Sequence, residues 1–109
     1  MKRMAMLIGL SAEKVAEYKR LHADAWPTVL AKIAECNIRN YSIFLKEPEN
    51  LLFGYWEYHG IDFAQDACRM GEDQATQRWW ALCEPCQRPL DTRKAGEWWA
   101  SMEEVFHVD

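Results

Sequence analysis

Side chains suited to an interior recur at Val15, Tyr18, His22, Trp26, Val29 and Ile33. Steps of three or four are the spacing of one helix face, so the pattern predicts a helix from a cap at Ser11 to about Glu35. Pro27 interrupts it, because proline offers no N–H to the carbonyl of Ala23 and biases Trp26 away from helical angles. The helix is therefore kinked there or restarts with Pro27 in its first turn. Asn37 ends it. Before this helix, RMAMLIGL (3–10) is a nearly continuous apolar run of strand length. After it, IRNYSIFL (38–45) and LLFGYWEYH (51–59) flank a short turn containing Pro48, which predicts a hairpin. Beyond Gly60, residues 61–70 and 73–82 read as two short helices interrupted at Gly71. Residues 83–96, with Pro85 and Pro89, read as a loop, and the stretch 97–109 ends in SMEEVFHV, a fourth strand. The order βαββαβ predicts a single α+β domain over residues 1–109, a ferredoxin-like antiparallel sheet with helices on one face.

Alternation within the strands bears on partners. Met4, Met6 and Ile8 point one way and Ala5 and Leu7 the other. Leu51, Phe53 and Tyr55 oppose Leu52, Trp56 and Tyr58, and Tyr41, Ile43 and Leu45 oppose Ser42 and Phe44. Two helices cover only one of these faces, yet the other is also apolar. A second copy is the simplest cover, which predicts a homodimer of the dimeric α/β barrel type.

Composition narrows the classes. The chain has 109 residues, half of them apolar, enough for a single core. A net charge of −4 and a pI near 5.4, with no basic residues interleaved among the aromatics, argue against nucleic acid. No run approaches membrane-spanning length. The opening Lys2-Arg3 and Met4 to Leu10 resemble a signal peptide only superficially, since charged helical sequence follows at once; the expected place is the cytoplasm. The four cysteines include one CxxC, Cys83-Glu-Pro-Cys86, which follows a helix instead of opening one. It also lacks the second ligand pair that zinc would need, so reduced structural thiols are expected.

Candidate chemistry centres on His22, alone among the three histidines in lying on the inward helix face. Tyr18, one turn earlier, sets a phenol beside the imidazole, and both groups donate and accept hydrogen bonds. An inward histidine is commonly just a satisfied core residue; the paired tyrosine makes this one a candidate for proton transfer near neutral pH. Arg78-Trp79-Trp80 and Trp98-Trp99 supply four of six tryptophans, whose flat apolar faces and N–H groups suit sugar rings, although core and interface packing would use them equally well. No nucleophile motif, phosphate-cradling glycine loop or metal-ligand cluster is present.

Taken together, Tyr18, His22, Trp26-Pro27, the NYSIFL stretch and Arg78-Trp79-Trp80 resemble the L-rhamnose mutarotase family, along most of the chain. The resemblance implies a dimeric ferredoxin-like fold and an isomerase that interconverts the α and β anomers of a 6-deoxy-L-aldohexose, L-rhamnose first, with no cofactor or metal. It implies His22 as proton donor and Tyr18, Tyr41, Trp79 and Trp80 as sugar-binding residues. The sequence departs from the family after the tryptophan helix. Where its better-known members carry an NPDNSP loop, this chain has the longer CEPCQRPLDTRKAGEWWA. Loops of this kind set specificity, so L-fucose is the alternative to L-rhamnose as the substrate. A haem or oxidative enzyme and a non-catalytic binding module are the alternatives on the same architecture, since fold alone does not choose among them.

Overall fold

Residues 1–109 are all described by the computed structural model. The first apolar run forms β1 (Lys2–Leu10), and the predicted hairpin forms β2 (Ile38–Lys46) and β3 (Leu51–Tyr58). Between them lie α1 (Val15–Ala23) and α2 (Pro27–Glu35); after them come α3 (Phe63–Glu72) and α4 (Gln74–Cys83). Two short strands finish the sheet, β4 (Gln87–Arg88) and β5 (Ala100–Met102). The strand order is β2-β3-β1-β4, with β5 also paired to β1, and every pair is antiparallel. This is the ferredoxin-like arrangement, an α+β fold with a curled sheet.

The proline resolves the long helical pattern into a restart. Trp26 is extended, with φ −66° and ψ 131°, and Pro27 takes the first position of α2. Ser11 does not cap α1. It precedes a single 3-10 turn, Ala12–Lys14, and its hydroxyl donates to the Glu13 carboxylate instead of a backbone N–H. The break between the last two helices falls at Asp73, not Gly71, which lies inside α3. Asp73 accepts from both the N–H and the hydroxyl of Thr76, and that cap outweighs the flexibility of a glycine. The stretch 83–96 is not all loop, for it holds a 3-10 turn (Glu84–Cys86) and β4.

The fourth strand is much shorter than SMEEVFHV. Only Ala100–Met102 pair, opposite Leu7 to Ala5, and β4 takes the same edge of β1 further along, at Gly9 and Leu10. Residues 103–109 are exposed and unpaired in the sheet, anchored by an ion pair from Arg3 Nε to Glu104 at 2.6 Å. Gly9 is what lets β4 approach. A Cβ there would stand 2.7 Å from the Arg88 carbonyl oxygen.

The two-faced alternation appears as expected. Ile8, Leu10, Leu52, Tyr18 and Cys86 form one buried cluster under α1, and Ile38, Trp56 and Tyr58 form another under α2 and α3. Val29, Trp79 and Cys83 lock α2 to α4. On the opposite face Phe44 is 62% exposed and stands 6.4 Å, ring centre to ring centre, from the exposed Phe53.

At the end of the sheet away from the α4 tryptophans, the buried Asp66 ties three elements together. Its carboxylate accepts from the Tyr58 hydroxyl, from Asn37 Nδ2 at 3.1 Å and from Arg69 Nη1 at 3.0 Å. Donation from Tyr58 and Asn37 holds the carboxyl below its ordinary value. A depressed carboxylate stabilises the fold above its unfolded pKa, and that contribution is lost as pH falls through the folded one. Asp66→Asn should therefore lower the urea midpoint at pH 7, and its deficit against the parent should shrink on acidification below pH ~4. A deficit unchanged with pH would show that the charge of Asp66 is not what matters.

Candidate active site

The inward face of α1 carries Tyr18 and His22 one turn apart. Helical rise brings the two rings face to face, with centroids 4.1 Å apart and planes 8° from parallel. His22 Nδ1 lies 2.9 Å from the backbone oxygen of Tyr18. A carbonyl only accepts, so Nδ1 carries a proton and donates it. The other ring nitrogen, Nε2, makes no bond within the chain and is the atom free to exchange a proton. Partial burial pushes the imidazole below its ordinary value, against the opposing effect of the Tyr18 carbonyl.

Two tryptophans brace this pair. Trp79, buried on α4, meets His22 edge-on at 5.2 Å and Trp26 edge-on at 5.3 Å. Trp26, extended at the helix break, thus serves as packing behind the site. Trp80 projects about 100° further round α4, is 39% exposed, and makes no ring contact with His22. Of the tryptophan pair, then, Trp79 touches the imidazole directly and Trp80 offers an open face beyond it.

Tyr41 reaches the same region from the sheet. β2 and β3 pair Arg39 with Glu57 and Ser42 with Tyr55, so Asn40 and Tyr41 together oppose Trp56 alone. This is a β-bulge, the device that re-aims a side chain beside a site. Asn40 supplies its left-handed backbone, φ 50°, which asparagine tolerates better than most residues. Tyr41 is 42% exposed, yet its hydroxyl end is enclosed, and burial raises the phenol to about 12, with Cys83 adding to the shift. Burial likewise lifts the Tyr18 phenol far above its usual range, opposed by donation from Gln87 and raised a little more by Cys83 and Tyr41. Both phenols are protonated at neutral pH.

Three residues here escape a reading of motifs. Cys83 sits in the floor, its thiol raised to about 12 by burial. Gln87 Nε2 donates to the Tyr18 hydroxyl at 3.2 Å, and Trp98 Nε1 donates to Gln87 Oε1 at 2.7 Å. No periodicity links positions 18, 87 and 98; only the pairing of β4 with β1 brings them together. A hollow of about 540 Å³ adjoins this corner and is bounded by Trp98 and the mostly charged loop from Asp91 to Glu97. All four cysteines are free thiols, and no three metal-ligating side chains converge.

A histidine with one free nitrogen, stacked on a protonated phenol and walled by indole, thus sits within a small α+β fold. The chain belongs to the L-rhamnose mutarotase family, whose sequence model matches residues 3–108. Family members are isomerases that act on carbohydrate anomers. The chain is 31% identical to the L-rhamnose mutarotase of Oceanobacillus iheyensis, with the alignment covering 100% of both chains. Its fold superposes on the crystal structure of an L-rhamnose mutarotase from Formosa agariphila with a TM-score of 0.80, at 21% identity and 100% coverage of both. The tetracenomycin F2 cyclase of Streptomyces glaucescens shares the fold, with a TM-score of 0.71 at 14% identity over 100% of this chain and 98% of that one.

The bulge yields a test. Asn40→Val forces a β-branched residue into a left-handed backbone and should cost about 1–2 kcal/mol, while Asn40→Gly should stay closer to the parent. Urea unfolding of both variants measures the difference. Equal stability would mean that the left-handed turn is not what places Tyr41.

Proposed function

We propose that this chain is a mutarotase for a 6-deoxy-L-aldohexose, with L-rhamnose its substrate and His22 the residue that delivers the proton. The supporting observation is the His22 ring itself: Nδ1 is committed to the Tyr18 carbonyl, which leaves Nε2 as the single exchangeable position. Protonated at Nε2, His22 donates to the ring oxygen while the anomeric hydroxyl gives up its proton. The bond from C1 to the ring oxygen breaks, leaving an aldehyde and a free hydroxyl at C5. Rotation about C1–C2 presents the other carbonyl face, closure reverses both proton movements, and no electrons are gained or lost. Tyr18 and Tyr41 hold sugar hydroxyls, and Trp79 and Trp80 supply apolar walls for the C–H faces. Anomers interconvert unaided in water, so the roughly 10²–10⁴-fold contribution of one positioned acid–base group is a sufficient scale.

His22→Ala should therefore slow anomer exchange of L-rhamnose by about 10²–10⁴-fold, as read by saturation-difference NMR. The same panel run with L-fucose tests the sugar, because the 83–100 stretch that departs from the family pattern borders the site. Sugar binding without faster exchange would mark a binding module instead. The pH profile tests the direction of proton flow. The folded imidazole titrates below ~6.5; if imidazolium is the active form, kcat/KM falls as pH rises through that value. A profile that rises there would make neutral Nε2 the acceptor of the anomeric proton and reverse the role of His22.

The open sheet face supports a homodimer as the working unit. Phe44, Phe53 and Met102 are exposed together with Val105, Phe106 and Val108 of the C-terminal segment, more apolar surface than a solvated face ordinarily presents. Light scattering at micromolar concentration should give twice the chain mass, 12.8 kDa each. A monomer there, or a Phe44→Glu variant still dimeric, would remove this face from the assembly.

A further inference from the structure

The Tyr18 hydroxyl has one hydrogen-bond partner within the chain, Gln87, and the direction of that bond is determined by a third residue. Indole N–H only donates. Trp98 Nε1 stands 2.7 Å from one end of the Gln87 amide, so that end is the carbonyl oxygen. The other end, 3.2 Å from the phenol, is therefore the NH₂ group, which also only donates. The Tyr18 oxygen accepts, and its own proton must be given to something else. The phenol ring itself lies flat on the His22 imidazole.

We propose that Gln87, locked by Trp98, is a positioning residue that commits the Tyr18 hydroxyl to donate its proton to a sugar oxygen. The inference rests on reading Tyr18 and His22 as the sugar site. It gives the departing loop a task, because Trp98 comes from that loop. Gly9 contributes from beneath, since its lack of a Cβ allows the Arg88 carbonyl close to β1 and holds Gln87 opposite Leu10, on the side of the sheet that faces Tyr18. Burial keeps the phenol protonated, so the donor is present throughout the working pH range.

Gln87→Glu tests the polarity with almost no change of shape. A carboxylate accepts from both Trp98 and Tyr18 and would draw the phenol's proton away from the sugar. With L-rhamnose as probe, kcat/KM should fall about three- to tenfold at pH 7, the scale of one hydrogen bond. The ratio of variant to parent should recover as pH falls and the new carboxyl becomes protonated, a change that damaged packing would not produce. In a Tyr18→Phe background Gln87→Glu should have no further effect. Trp98→Phe, which frees the amide to turn, should give a smaller loss that also vanishes in Tyr18→Phe, and it serves if Gln87→Glu does not fold. A parent-like Gln87→Glu, or losses that add to that of Tyr18→Phe, would overturn the role of Gln87 while leaving the site intact. A Tyr18→Phe variant with unchanged exchange would overturn the reading of the site, and this inference with it.

Discussion

One hydrogen bond sets the polarity of the site: His22 Nδ1 to the carbonyl of Tyr18, 2.9 Å away and one turn back along the same helix. That carbonyl has two lone pairs and can serve both the helix ladder and the imidazole. The bond fixes the tautomer, clamps the ring parallel to the phenol and turns Nε2 outward. It needs α1 to hold its helical form as far as His22, and the helix ends one residue later, at Ala23. The extended Trp26 then lets α2 set out afresh while its own indole folds back against Trp79, and Trp79 supports the edge of the imidazole. A break enforced by proline is thus part of what braces the histidine.

Much of this was legible in the chain. The inward stripe from Val15 to Ile33 lies in the packed clusters as its spacing requires, and the hairpin and sheet faces follow the period-2 alternation. These signals are local, repeated and reinforced by burial. Features that depend on a partner strand were not legible. The bulge at Asn40-Tyr41 exists only relative to β3, since nothing in NYSIFL says that two residues will oppose one. The edge of β1 is shared between β4 and a short β5, an arrangement that no single segment records. The helix boundary at Asp73 could have been read, because an aspartate three residues before a threonine carries a capping signal that the nearby glycine obscured.

The candidate residues divide in the same way. Tyr18 and His22 meet as their helical positions suggested, and Trp79 joins them from α4, whereas Trp80 makes no ring contact with the imidazole. Gln87 and Trp98 belong to a stretch that looks like connecting loop. Their contact with Tyr18 comes from a tertiary coincidence, a two-residue strand placing an amide between a phenol and an indole. Hydrogen-bond direction, which donor-only groups dictate, is information that a sequence does not display but a structure makes deducible.

The nine-residue length of α1 has a further consequence. An isolated helix needs roughly 12–15 residues to be even marginally stable in water, so α1 persists only while docked on the sheet. The Tyr18–His22 stack has no scaffold of its own and cannot outlast the core. Cooperative melting and loss of the Tyr18–His22 stack are one event, and damage to packing far from the imidazole is felt there as well. In this small chain the integrity of the interior is itself a determinant of the geometry around His22.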